Sequence, residues 1–296
     1  MGYEVTHLFA GQCQLAEGVI WQPKSHSLMW VDIYGNQVHQ LSLPAKEHRT
    51  WSVGEYPSSI LPSADGRMLL TQRKGLNWFR PEQGSLEPIF SPEAGLPANR
   101  YNDAQIDPRG RLWAGTMAID ADAPSGRLYR YSPGGAWRQM ESDFFISNGP
   151  VFSPCGRVLY YADSLARTVY HYELDRNCDP ISERRHFITL PEGEGVPDGM
   201  TCDIQGNLWI CHFDGGGISR YSPSGQRIGW IDLPVSKVAS CTFGGSNMST
   251  LFITTAQVGL SPEALAQQPL AGDLFCIETD TQGQPQHRFA QATSRS

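Results

Sequence analysis

Three short stretches set an oxygen-bearing side chain beside glycine or proline at the start of an apolar strand pattern. They are Ala16-Glu17-Gly18-Val19-Ile20, Ser147-Asn148-Gly149-Pro150-Val151 and Val196-Pro197-Asp198-Gly199-Met200. Two carboxylates and an amide oxygen are donors that a hard or borderline divalent cation accepts, and three of them leave coordination positions for water and substrate. Taken singly, Glu17 reads as an exposed or salt-bridged carboxylate and the other two as turns. A fourth stretch, Asn99-Arg100-Tyr101-Asn102-Asp103-Ala104-Gln105-Ile106-Asp107, is either an Asn/Asp-rich turn or a source of a guanidinium and amides that orient a polyhydroxylated ligand. Each stretch lies about ten residues before a copy of one recurring pattern.

That pattern is a turn with Gly or Ser, a polar residue, then three or four β-formers. Its copies begin at Ser27, Gly66, Gly110, Gly156, Gly206 and Ser249. With Trp30, Leu69, Trp113, Tyr160, Trp209 and Phe252 as markers, the copies are spaced by about 39, 44, 47, 49 and 43 residues. These are lengths of a four-stranded blade. A second strand pattern usually follows, as in Gln37 to Leu41, Gly126 to Tyr131, Thr168 to Tyr172 and Gly217 to Tyr221. A lone blade cannot cover both faces of its sheet, so six copies predict a closed ring. The fold expected is all-β, a six-bladed β-propeller, with residues 1–296 forming one domain. Equivalent places in its blades converge near the central channel, which would bring Glu17, Asn148 and Asp198 together.

A large β-sandwich or a pair of β-domains would be as rich in turns, but the regular spacing and the lack of a linker-like boundary count against both. Ser261 to Ala266 reads as a short surface helix in the last blade, with Ser261 as cap and Pro262 at the first helical position.

Composition narrows the function. The formal charge is -7 and the basic residues are scattered, so nucleic acid is not an expected partner. No apolar run is long enough to span a bilayer, and the N-terminus lacks a basic region followed by an apolar one. No membrane association and a cytoplasmic location are expected. Gly2 to Thr6 fit the myristoylation pattern, which is loose enough to be met by ordinary sequence. The seven cysteines show no zinc-type spacing and read as buried free thiols of a reducing compartment. There is no GxSxG elbow, and Gly215-Gly216-Gly217 lacks the spacing of a dinucleotide loop.

The stretches together resemble the gluconolactonase and regucalcin (senescence marker protein) family over nearly the whole chain. The resemblance rests on Ala16-Glu17-Gly18, Arg100-Tyr101-Asn102-Asp103, Asp107 to Met117, Ser147-Asn148-Gly149, Tyr160 to Ser164, Pro197-Asp198-Gly199-Met200 and Ala239 to Gly245. It implies a six-bladed propeller with one divalent metal ion on Glu17, Asn148 and Asp198, and a sugar lactone contacted by Arg100 and Asn102. Mammalian members carry a Glu where this chain has Asp120, and many members have Gly-Gly-Arg where this chain has Gly215-Gly216-Gly217. Both departures bear on the substrate more than on the reaction.

The expected reaction is metal-dependent hydrolysis of an aldonolactone to the aldonic acid. Asp198 would serve as ligand and proton acceptor, and Arg100, Asn102 and Asp120 would orient hydroxyls. His212 is either a rim residue that touches substrate or a satisfied structural histidine. Ca²⁺, Zn²⁺, Mn²⁺, Mg²⁺ and Fe²⁺ all suit such oxygen ligands, and the lactone itself stays open. A metal-dependent esterase or phosphotriesterase is the enzymatic alternative; a non-catalytic calcium-binding regulatory protein is the other.

Overall fold

In the computed structural model, which describes residues 3–291, the strands group into six four-stranded antiparallel sheets, the blades of a β-propeller. Gly2 of the myristoylation pattern lies outside the described residues. The first strand of each blade is innermost: Ala16–Gln22, Ser59–Pro62, Asn99–Ile106, Ser147–Phe152, Val196–Cys202 and Val238–Gly244 in blades 1 to 6. These strands pack side by side around the channel, and the sixth returns against the first. The six repeat copies are the second strands. In blade 6 the outermost strand comes from the other end of the chain: Thr6–Phe9 pairs with Leu274–Glu278, setting Thr6 opposite Cys276.

Repetition in the sequence has a local cause in blades 3 and 5. Asp107 Oδ1 accepts from the backbone N–H of Arg109 and Arg111, and Asp203 Oδ1 from Gln205 and Asn207. Each carboxylate thereby winds the chain into a turn, whose Gly110 or Gly206 takes the left-handed conformation that costs glycine least. The second oxygen accepts the indole N–H six residues on, Trp113 at 2.9 Å and Trp209 at 3.1 Å. A fully buried tryptophan is thus satisfied at its polar end while its ring fills the space between blades.

The short helix is present as Pro262–Gln267, with Ser261 Oγ accepting from Ala264 N. Among the described residues no helix is long and apolar enough to cross a membrane. All seven cysteines are free, and five are buried as expected; Cys155 is exposed and Cys276 half-buried.

Candidate metal centre and substrate cavity

Blades 1, 3, 4 and 5 share an irregularity at their innermost strands. Three steps along that strand match two along its neighbour: Glu17 to Ile20 against Val31 to Met29, Tyr101 to Ala104 against Thr116 to Ala114, Asn148 to Val151 against Ala162 to Tyr160, and Pro197 to Met200 against His212 to Ile210. Each is a β-bulge, which bends the strand and re-aims the side chains beside it. Glu17 and Asn148 are the last paired residues before the bulge, followed by Gly18 and Gly149 at φ +56° and +74°. Asn102 and Asp198 are themselves the first bulged residues. The four polar positions are therefore alike to within one residue.

Glu17, Arg100, Asn102, Asp120, Asn148 and Asp198 meet in one cavity of about 380 Å³. Glu17, Arg100, Asn102, Asn148 and Asp198 are buried, and Asp120 is exposed. A larger hollow of about 510 Å³ over blade 2 contains none of them. Convergent buried charge identifies the site better than volume does.

A chain of hydrogen bonds fixes the amides. Ser164 Oγ gives its proton to the Pro197 carbonyl at 2.7 Å, so it accepts from Asn148 Nδ2 at 2.8 Å, and Asn148 presents Oδ1 on its other side. Asn102 Nδ2 donates to the Ser147 carbonyl at 2.7 Å and to Asn148 Oδ1 at 3.0 Å. Asn102 Oδ1 then receives Arg100 Nη1 at 2.7 Å, and Arg100 Nη1 also reaches the Tyr101 carbonyl. Backbone carbonyls at both ends of the chain set every direction in it. Arg100 Nε has no protein partner, so a buried cation keeps a spare donor.

Burial pushes the Glu17 carboxyl well above the usual carboxylate range, and the charges of Asp198 and Asp103 push it further. Asp198 is raised for the same reason, burial first and then Asp103, against the pull of Glu17 and Arg100. Asp103 is raised to about 7 by burial, although Ala104 N, Gly149 N and Ser59 hold its charged form. Buried Glu17 and Asp198 thus share a single nearby guanidinium, and half-buried Asp103 adds a third carboxyl close by, an arrangement that favours a divalent cation over protons. The residues fit such an ion: two carboxylates and an amide oxygen whose orientation is already set.

His212 is not at the cavity. It is fully buried within blade 5, its Nδ1 bonded to the Glu194 carbonyl and its Nε2 to Ser219 Oγ, both at 2.7 Å, with Trp230 edge-on. Both ring nitrogens are used, so of its two readings the structural one holds. Its neighbour Phe213 lines the cavity instead, with Leu15, Met117, Ile119, Ile146 and Val196. The sequence pattern did not single out this apolar wall, because its members come from separate strand ends and loops.

The signature described as SMP-30/Gluconolactonase/LRE-like region matches residues 15–257. Regucalcin of Danio rerio is 33% identical over 270 residues, covering 89% of this chain and 90% of its own. A pentonolactonase of Haloferax volcanii is 31% identical over 295 residues, covering 96% and 97%. The crystal structure of a calcium-binding regucalcin from Agrobacterium tumefaciens superposes with a TM-score of 0.93 at 26% identity, covering 98% of each chain. With the matched region spanning every inner strand and all six cavity residues named above, the chain belongs to the SMP-30/gluconolactonase/LRE-like family.

Proposed function

We propose that this protein is a metal-dependent sugar lactone hydrolase, with one divalent cation held by Glu17, Asn148 and Asp198. The observation that carries this reading is the placement of two buried carboxylates and an oriented amide oxygen in one cavity with a buried guanidinium. An ion buffer has no need of Arg100 and Asn102 beside its ligands, which weighs against a purely regulatory calcium-binding role. The pentonolactonase among its relatives supports the substrate class.

When bound, the cation supplies Lewis-acid stabilisation of the negative charge that develops on the lactone carbonyl oxygen. Arg100 and Asn102 hold the sugar hydroxyls, and Asp120 at the exposed edge adds an acceptor. Asp198 takes a proton from the attacking water as the new acyl C–O bond forms. It returns that proton to the ring oxygen as the old acyl C–O bond breaks, giving the free hydroxy acid. The apolar wall limits competing water around the reacting carbonyl.

The same wall favours a second reading, an esterase acting on less hydroxylated substrates. Proton release from a panel of aldonolactones and simple aryl esters separates the two. The assay uses metal-stripped protein, protein resupplied in turn with Ca²⁺, Mg²⁺, Mn²⁺, Fe²⁺ or Zn²⁺, and Asp198→Ala. Metal-dependent opening of lactones, lost in Asp198→Ala, is the expected result; faster turnover of aryl esters would favour the second reading, and turnover of neither would sink both.

A further inference from the structure

A second cluster of metal-binding side chains lies away from the channel. Cys13 Sγ, a carboxylate oxygen of Asp32 and a ring nitrogen of His39 lie within 4.8 Å of one another, and all three residues are buried. Cys13 belongs to the segment that leads from the closing strand Thr6–Phe9 into blade 1. Its N–H donates to the Gly272 carbonyl of the blade 6 side. Asp32 ends the second strand of blade 1, and His39 sits in the third. The cluster therefore straddles the seam where the ring closes.

Two features set it apart from a packed core. In blades 3 and 5 the buried repeat tryptophan gives its N–H to an aspartate, but in blade 1 Trp30 gives it to Cys13 Sγ at 3.5 Å. His39 is 4% exposed; its Nδ1 is paired with His48 Nε2 at 3.1 Å, and its Nε2 is buried with no hydrogen-bond partner. With Nδ1 donating to His48, Nε2 carries a bare lone pair, the form a metal takes. A buried polar nitrogen left alone calls for such an explanation.

The remaining donors are already oriented. Asp32 Oδ2 accepts from Gln14 N at 2.9 Å, and Oδ1 from Leu15 N at 3.0 Å and Gly35 N at 2.9 Å, which holds the carboxylate still. Stacking of the His39 ring on Trp30, with centroids 5.0 Å apart, fixes the imidazole plane. The Gly11 carbonyl, 3.7 Å from Cys13 Sγ, is a further oxygen beside the thiol.

We propose that Cys13, Asp32 and His39 form a second metal site, for a thiophilic divalent ion such as zinc, that ties the ring-closing segment to blade 1. Thiolate, imidazole and carboxylate are the donor types of zinc sites, in contrast to the oxygen-only donors at the channel. Binding displaces the Cys13 proton to solvent, forms the Sγ–metal bond and requires no redox partner.

The test is a titration of the metal-stripped full-length chain with Co²⁺ under anaerobic conditions, read in the near-ultraviolet for thiolate-to-cobalt charge transfer. One thiolate-ligated ion per chain is expected, with the band lost in Cys13→Ser and in His39→Gln. In an Asp198→Ala background, which disables the channel site, zinc is expected to raise the Tm by a few degrees and to leave it unchanged once His39→Gln is added. Circular dichroism establishes that each variant is folded, and His39→Gln decides the matter if Cys13→Ser is not. The proposal is overturned if the wild-type chain shows no thiolate band, or if the band survives in folded Cys13→Ser or His39→Gln.

Discussion

Asn102 Nδ2 donates to Asn148 Oδ1 at 3.0 Å across the seam between blades 3 and 4, so a proposed substrate residue and a proposed metal ligand share one hydrogen bond. Recognition of the sugar and retention of the ion are coupled through it. Asn102→Ala is expected to weaken both: the metal Kd and the lactone KM each rise by about tenfold, the worth of one or two lost buried hydrogen bonds. Calorimetric metal titration and initial-rate kinetics on the same preparation measure the two effects. A rise in KM alone would show that the bond carries no coupling.

Ser164 touches the other side of the same amide. Removing its hydroxyl in Ser164→Ala takes away the group that dictates which way Asn148 faces. Metal affinity is expected to drop about 10- to 100-fold, the range seen for groups that orient a ligand. At saturating metal the lactone KM stays near wild type, because the bound ion then holds Asn148 Oδ1 where Asn102 donates to it.

Gly18 needs its φ of +56°, and a Cβ there would stand 3.1 Å from Ser59 Cα and 3.2 Å from Ser58 O, both in the next blade. Gly18→Ala is expected to cost about 1–3 kcal/mol of stability by denaturant unfolding. It should also displace Glu17 and raise the metal Kd. An unchanged Kd in a destabilised variant would separate the bulge from the site.

Burial lowers His212 from 6.5 to about 4 in the folded protein. The unfolded chain therefore takes up this proton first, and the folded state loses ground as pH falls from about 6.5 towards 4. The shift corresponds to roughly 3 kcal/mol at most, fully felt only below the lower value. His212→Gln should give a shallower decline between pH 6.5 and 4.5 in urea midpoints, from a lower plateau at pH 8 because the Glu194 and Ser219 bonds are disturbed. A decline parallel to wild type would assign the acid sensitivity to other groups.

Much of the architecture could be read directly from the sequence, because each repeat carries its own cause: a turn glycine or serine followed by a strand that buries an aromatic or leucine. The aspartates that anchor two of those turns were less visible, since Asp107 and Asp203 stand three residues before the glycine and look like loop polarity. Glu17, Asn148 and Asp198 were found through their offset from the repeat, and they do line a common cavity. The offset was approximate because the bulges add a residue that no periodicity reveals. His212 misled for a different reason. A histidine near the end of a buried strand looks the same in sequence whether it faces a cavity or, as here, Glu194 and Ser219. The role of Ser164 was beyond reach, because it depends on a carbonyl 33 residues away.

The strand Thr6–Phe9 completes a sheet whose other members are the last three strands described. Pairing of Thr6 with Cys276 spans nearly the whole sequence, so a nascent chain cannot make it until the last strand has left the ribosome. Until then Thr6–Phe9 has no partner in its own chain, and the edge of Leu274–Glu278 in a finished copy fits it as well. Slow synthesis or high local concentration should therefore favour exchange of first strands between copies, and the order in which two ends of one chain arrive decides between a closed ring and a swapped pair.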